Sequence, residues 1–306
     1  MKITSKLPAL LLLISALLVF SCNEKNSDKE EETILKGAIS IYVDETLKPI
    51  IDDQVAVFES KYDAKITLIS KSESETINSL FNDKGGVAIL SRNLTEEELN
   101  VFKQRKITPK ITPFAIDAIA FVSNKRNNDT LIALKDVVDF MQGKDVPPIK
   151  GLVFDNLNSS TLRYLNDLAD IKEVRNKGIF SFKTNEEVIK HISQNDGLIG
   201  VVGVNWLSQA SPNMQKYVKE LNVLHVKGLK DDSYYLPSQN DIAEKKYPLA
   251  RDLYIINCQG YSGLGMGFAS FVAGDIGQRI ILKSGLLPVR IPGRKFIITG
   301  AKNDEK

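Results

Sequence analysis

Cysteine, histidine and any excess of one charge are what this chain of 306 residues has least of. It carries two cysteines, Cys22 and Cys258, and two histidines, His191 and His225, that lie far apart and outside any group of metal-type ligands. A zinc site or a Ser-His-Asp arrangement is therefore not expected, and no cofactor is called for. The balance of 40 Lys and Arg against 38 Asp and Glu argues against a nucleic-acid role, which wants a basic face. Long hydrophobic runs are also missing, with one exception. Leu7 to Phe20 is apolar sequence apart from Ser15, and no later stretch is long enough to span a bilayer. No internal repeat at a fixed period is visible.

The exception lies at the start. Lys2 and Lys6 precede the apolar run and Ser21-Cys22 closes it, which is the build of a secretory signal peptide and too short for a membrane span. Val19-Phe20-Ser21-Cys22 also resembles a bacterial lipobox, whose cysteine is acylated and becomes the new N-terminus. Residues 1–21 are thus expected to be removed and Cys22 to carry the lipid anchor, with 22–36 as a polar tether. Loss of two lysines and no acid leaves 38 basic and 38 acidic residues, a net charge of zero. Cys258 is then the one thiol left, so an exported protein without an internal disulfide is expected. The acid-rich Asp28-Lys29-Glu30-Glu31-Glu32 is similar to surface-export signals of Bacteroidetes lipoproteins, so the periplasmic face and the cell surface both stay open.

Beyond the tether, short apolar runs alternate with helical patterns. Strands are read at Ala38 to Val43, Lys65 to Ile69, Val87 to Leu90, Ala115 to Val122, Leu152 to Phe154, Gly200 to Val204 and Leu253 to Ile256. Pro49 suits a helix start, and Ile51, Val55, Phe58 and Tyr62 follow at helical spacing. A short helix is read at Thr76 to Phe81 and another from Leu134 to Gln142, ending at Gly143. Thr95 to Glu98 and Thr184 to Glu187 read as capping boxes, a further helix begins near Ser160, and two late ones cover Gly267 to Ala273 and Ile276 to Ser284. Such alternation implies α/β architecture with mostly parallel, doubly wound sheets, whose ligands bind where strand C-termini meet helix N-termini.

Seven stretches in this order carry a family resemblance: Ser91 to Glu98, Ile116 to Val122, Phe140 to Lys144, Asn158 to Thr161, Gly197 to Gly203, Tyr247 to Tyr254, and Phe271 to Pro288. Together they resemble the phosphate-binding (PstS-type) solute receptors of ABC importers, in the lipid-anchored form of Bacteroidetes-like bacteria. The resemblance covers about Gly37 to Pro292. It implies the periplasmic binding protein type II fold: two doubly wound lobes joined by a two-strand hinge. Lobe one would be 37–113 plus 246–300 and lobe two 114–245, with 301–306 as a tail. It implies binding without chemistry, phosphate as ligand, an ABC permease as partner, a monomer, and a place in the cell envelope.

The site residues come from the same resemblance. Ser159, Ser160 and Thr161 occupy the place of the family's Ser-Gly-Thr, where hydroxyls and free N–H groups at a helix start cradle an oxyanion, and Thr46 sits where the family has threonine. An ordinary N-cap is the bland alternative for the triplet. The charged positions depart from the pattern. Asp155 stands where many relatives carry arginine, and Arg92 where some carry aspartate; one charge of each sign remains, so an exchanged ion pair across the cleft stays open. Asp155 would then accept the proton of hydrogen phosphate and reject sulfate. Glu45 and Glu73 fall where the family has small or hydroxyl residues, and two carboxylates about 5 Å from an anion would oppose it by roughly 3 kcal/mol per charge pair. Either both point away, or a cation binds too, or the ligand is another oxyanion or a small zwitterion. Trp206 and Tyr234-Tyr235 would line a wider cleft for an organic ligand, or merely pack. A hydrolase built on Ser159 or Ser160 has no recognisable base, and a surface lipoprotein without a transport role is the remaining rival.

Overall fold

The computed structural model describes residues 32–83, 85–147, 149–171 and 177–293; Cys22 and the leader lie outside them. Strand β1 (Lys36–Asp44) leads through a single turn at Glu45–Leu47 into α1 (Lys48–Lys61), which has Pro49 in its first turn. Its inner face is Ile50, Ile51, Gln54, Val55 and Phe58, a stripe of i, i+4 spacing. β2 (Asp63–Lys71), α2 (Glu73–Asn82), β3 (Val87–Leu90) and α3 (Glu96–Gln104) follow. β4 (Lys110–Asn124) is the long strand, and β5 (Leu131–Ala133), α4 (Leu134–Met141), β6 (Leu152–Phe154), α5 (Ser160–Leu168), β7 (Ile179–Ser181), α6 (Asn185–Gln194) and β8 (Ile199–Gly203) come next. Short strands β9 (Leu221–Val223), β10 (His225–Lys227) and β11 (Tyr234–Tyr235) precede β12 (Ala250–Asn257), α7 (Leu264–Ala273), α8 (Asp275–Lys283) and β13 (Leu287–Pro288).

The main sheet runs in the order β2-β1-β3-β12-β4-β8-β6-β7, with β9 and β13 also pairing with β4. Each end of it is parallel: β1 with β2 and β3, β6 with β7 and β8. The middle is antiparallel, because β12 and β4 cross between the halves and meet their neighbours head to tail. The expectation of mostly parallel sheets thus holds at the two flanks and not at the crossing. Residues 110–118 of β4 pair with β12, and residues 119–124 pair with β8 or β9. From Phe114 onward β4 is buried apart from half-buried Ile116, as its apolar run predicts for a strand covered on both faces.

The helix starts show how local sequence sets the boundaries. Thr95 and Glu98 form both bonds of a capping box at α3. α2 has the same device in Ser72 and Glu75, so it begins at Glu73, three residues before the expected Thr76. At α6 the Thr184 hydroxyl accepts from Glu187 N, but the Glu187 carboxylate takes Lys183 N–H at 2.8 Å, one residue earlier than a capping box would. Behind the sheet, the Phe58 ring meets Phe268 and Phe271 at centroid distances of 5.5 and 5.3 Å in edge-on geometry.

Candidate functional site

The parallel flanks point their strand C-termini at each other. Residues following β1, β2 and β3 (Asp44 to Thr46, Ser72 to Glu75, Ser91 and Arg92) face those following β6, β7 and β8 (Asp155 to Thr161, Asn185, Asn205). The gap is bridged directly. Thr46 Oγ1 and Ser160 Oγ are 2.8 Å apart, and Asn205 Nδ2 donates to Thr46 O at 2.9 Å. Asn185 donates its backbone N–H and its Nδ2, the latter at 2.6 Å, to the Glu45 carboxylate. Arg163 on α5 reaches Glu73 on α2 through Nε and, at 3.3 Å, Nη2.

Between the halves stands Arg251, which sits opposite Asp117 in the β12–β4 register. Its Nη2 donates to Asp117 Oδ2 at 2.6 Å, and its Nη1 to Ser160 Oγ at 3.0 Å and Ser91 Oγ at 3.4 Å. Both charged residues are buried, so the pair is held in a low-dielectric interior where losing one partner is costly.

At the start of α5, Ser159 caps the helix by accepting Leu162 N–H at 3.3 Å. Ser159 Oγ and Thr161 Oγ1 lie 2.9 Å apart, and Thr161 donates to Asp155 Oδ1 at 2.8 Å. Ser159, Ser160, Thr161 and Thr46 therefore lie together as the resemblance implied, with every hydroxyl engaged by the chain itself. The N-cap and the hydroxyl cluster are the same residues.

The charged residues are placed otherwise than the exchanged-pair expectation had them. Arg92 binds Glu73 at 3.1 Å and Glu98 at 2.7 and 2.8 Å, while Asp155 takes the Thr161 hydroxyl. Arg92 follows the end of β3, and Glu98 stands in the first turn of α3, where its carboxylate also accepts Thr95 N–H. Glu45 and Glu73 do not point to solvent; both are buried at the cleft. Tyr234 and Tyr235 form an edge hairpin with β10, with Lys227 5.8 Å above the Tyr234 ring, away from the cleft walls. Asp44, Ser91, Asp117, Asn185, Asn205, Arg163 and Arg251 join the site without having been singled out from sequence.

This gathering of acids has an electrostatic signature. Burial, with Glu73 adding repulsion, pushes the Asp44 carboxyl up to about 6, against the hydroxyls of Ser160 and Thr46 and the charge of Arg251. Burial and then Asp155 push Glu45 up to about 8, against the Asn185 donors. Asp155 and Asp117 are raised by burial, and for Asp117 the Arg251 guanidinium is the main counterweight.

Two cavities flank the closed contact. The larger, about 1350 Å³, is walled by Glu45, Asp155, Ser70, Trp206 and Gln209 among others. The smaller, about 440 Å³, lies on the other side and is lined by Ser91, Arg92, Arg163, Tyr164 and Arg251 among others. Among the described residues there is no cluster of three metal-type ligands, and no helix is long and apolar enough to cross a membrane.

Comparison with known proteins agrees with this fold. The chain is 28% identical over 303 residues to the phosphate-binding protein PstS of Borreliella burgdorferi, covering 93% of this chain and 99% of that one. A crystallised ABC-type phosphate transport receptor of Vibrio cholerae superposes with a TM-score of 0.62 at 17% identity, over 82% of this chain and all of that one. A PstS crystal structure from Borrelia burgdorferi superposes at 0.50 with 25% identity, over 84% of this chain and all of the other. Residues 27–275 match the profile described as PBP superfamily domain, so this two-lobed α/β chain belongs to the PBP superfamily of solute-binding proteins.

Proposed function

We propose that the protein is an envelope-anchored receptor that captures a phosphate group, inorganic phosphate being the simplest such ligand, and presents it to an ABC permease. The observation that carries this is the meeting of Ser160 Oγ, at the start of α5, with Thr46 from the opposite half and Arg251 from the crossing strand. Hydroxyls, helix-start N–H groups and one guanidinium at a junction of two halves suit a tetrahedral oxyanion that is gripped from both sides. The kinship with PstS of Borreliella burgdorferi supports the same ligand.

In this reading 37–113 plus 246–300 and 114–245 act as lobes that bend about β4 and β12, and the permease recognises the closed shape. Thr46, Ser159, Ser160, Thr161 and Arg251 hold the anion. Asp155 and Asp44 supply carboxylates to accept the proton of hydrogen phosphate. Glu45 and Glu73 tie the lobes together through Asn185 and Arg163. Cys22 carries the lipid.

Isothermal titration of the mature chain with phosphate and sulfate tests the proposal. Phosphate binding that falls at least tenfold in Ser160→Ala is the expected result; no heat with phosphate overturns it. Unchanged phosphate-over-sulfate selectivity in Asp155→Asn removes Asp155 from the proton-accepting role. Palmitate labelling that persists in Cys22→Ser removes the anchor.

A further inference from the structure

The chain reaches β1 through a clamp on α7. The Glu32 carboxylate accepts the Leu264 N–H at 2.7 Å, the Tyr261 hydroxyl at 3.1 Å and Gln259 Nε2 at 3.3 Å. Gly263, the N-cap of α7, has no side chain to offer, so this carboxylate supplies the cap and meets the positive end of the helix. Thr33 then closes a turn: its N–H donates to Lys36 O at 2.9 Å, and its hydroxyl accepts the Leu35 and Lys36 N–H groups. Gly263 and Gly267 stand one helical turn apart, and a Cβ on either would run into Glu32 or Ile34. Residues 32–36 therefore lie in a groove floored by glycine, and the tether from Cys22 meets the folded body at Glu32.

That point lies at the far end of its half from the cleft. The cleft residues follow the C-terminal ends of β1, β2 and β3, whereas Lys36 and Asp63, level in the β1–β2 register, begin their strands. Val87, Lys110 and Asn257 are level with one another toward the same end. α1 and α3 run from the cleft and finish there, at Lys61 and at Lys103 to Lys106. Lys61, Lys103, Arg105, Lys106 and Lys110 are all exposed, and none of the four lysines has a carboxylate partner among the described residues. The acids of this end are engaged: Asp63 with Lys36, Glu59 with Lys65, Asp83 with the Tyr42 hydroxyl and Gly85 N–H, and Glu32 with α7. The helix macrodipole accounts for cations in the last turns of α1 and α3, but not for Lys106 beyond α3 or Lys110 at the head of a strand. The charge left over at the tethered end is positive.

We infer that this end of the molecule docks on an anionic phospholipid bilayer, with the cleft opening away from it. The inference rests on the proposed Cys22 anchor and adds the orientation. Cys22 stands ten residues before Glu32, so the tether extends at most about 35 Å. β1, nine residues long, separates the tether point from the cleft by about 30 Å. A tether running back along the body would be almost used up on reaching the cleft, whereas the clamped end lies within its reach throughout. Cations close to an anionic leaflet are drawn to it over a Debye length, about 8 Å at physiological salt, so the anchor brings these lysines into range.

Lipidated protein labelled with a fluorophore at Gln104→Cys or at Gln194→Cys, an exposed helix end in each half, tests the orientation; Cys258 is buried and does not compete. The vesicles are phosphatidylcholine with about 30% phosphatidylglycerol and a quencher on the headgroups. The label at 104 is expected to be quenched about threefold more than that at 194, and the excess should vanish without phosphatidylglycerol or at about 0.5 M salt. Lys106→Glu combined with Lys110→Glu should reduce it, as should Glu32→Ala, which frees the tether from α7. Lys216→Glu with Lys219→Glu, exposed on the other half, should leave it unchanged. Equal quenching of the two labels, which an acid-rich tether lying over the lysines would also give, overturns the inference, and so does an excess that the Lys106 and Lys110 changes do not move. Phosphate titration of the same variants keeps the two readings apart, since these lysines lie a strand's length from Ser160. Intact phosphate binding with equal quenching leaves the receptor standing, whereas protein that carries no lipid removes the Cys22 anchor and this inference with it.

Discussion

Glu45 joins the halves through Asn185 while its carboxyl is held near a pKa of about 8, so folding into the closed state takes up a proton there. The ordinary value is 4.5 and the folded value is higher, so this contribution to stability is full below about pH 4.5 and is lost as pH rises through 8. Asp44, raised to about 6, acts in the same sense at lower pH. Thermal unfolding should therefore show stability falling between pH 5 and 8, by at most about 1.4 kcal/mol per pH unit for each proton. Glu45→Gln should flatten that slope; an equally steep slope in the variant would remove Glu45 as its source. Arg251→Met should cost about 3–5 kcal/mol in urea denaturation, because it leaves Asp117 buried without its cation, and adding Asp117→Asn should recover part of the loss. Of the site, the hydroxyls at 159–161 and Thr46 were named from the family resemblance, since local helix-start chemistry by itself reads the triplet as the plain N-cap that Ser159 also is. Arg251 and Asp117 were not singled out; Asp117 is the one charge inside the apolar run 114–122, which is a signal that could have found it, whereas Arg251 stands beside Asp252 and carries no such mark. The partners of Arg92 depend on where α3 turns relative to β3, and no spacing in the chain states that.

At the scale of elements, strands and helices followed local pattern closely. β3 and β6 lie where their apolar runs put them, and Thr95 started α3 as its capping box implied. β5, β7 and β10 escaped notice although three-residue β6 did not, because β6 is an apolar run buried throughout while the other three are mostly half-buried or exposed and exist through their neighbours. Helix α7 illustrates tertiary packing overriding propensity. Gly267 lies within it, and a Cβ there would come within 1.6 Å of Ile34 O and 2.6 Å of Ile34 C. Alanine is the better helix former by about 1 kcal/mol, yet Gly267→Ala should lower the melting temperature, since backbone before β1 has to move. A variant as stable as the parent would show that this segment does not pack on α7.

For the whole molecule, the contacts across the cleft would make closure partly self-sustaining if the two halves move as the proposed function has them. Arg163 bonds Glu73, Asn185 bonds Glu45, and Ser74 N–H lies 3.4 Å from Asn158 O. A ligand-free receptor that already populates its closed form loses less affinity to the conformational equilibrium. Arg163→Ala should therefore raise the ligand-free radius of gyration in small-angle scattering and weaken ligand binding several-fold. An unaltered radius and affinity would leave the Arg163–Glu73 contact without a part in closure. The sheet sets the limit on any such movement. β4 donates its first stretch to β12 and its last to β8 and β9 without a break in its 15 residues. A strand that is shared by the two halves of the sheet has no joint at which one half can be shed alone. Unravelling either side would strip hydrogen-bond partners from the backbone the other is built on, so heat should collapse the two together, as one cooperative unit rather than as beads on a string.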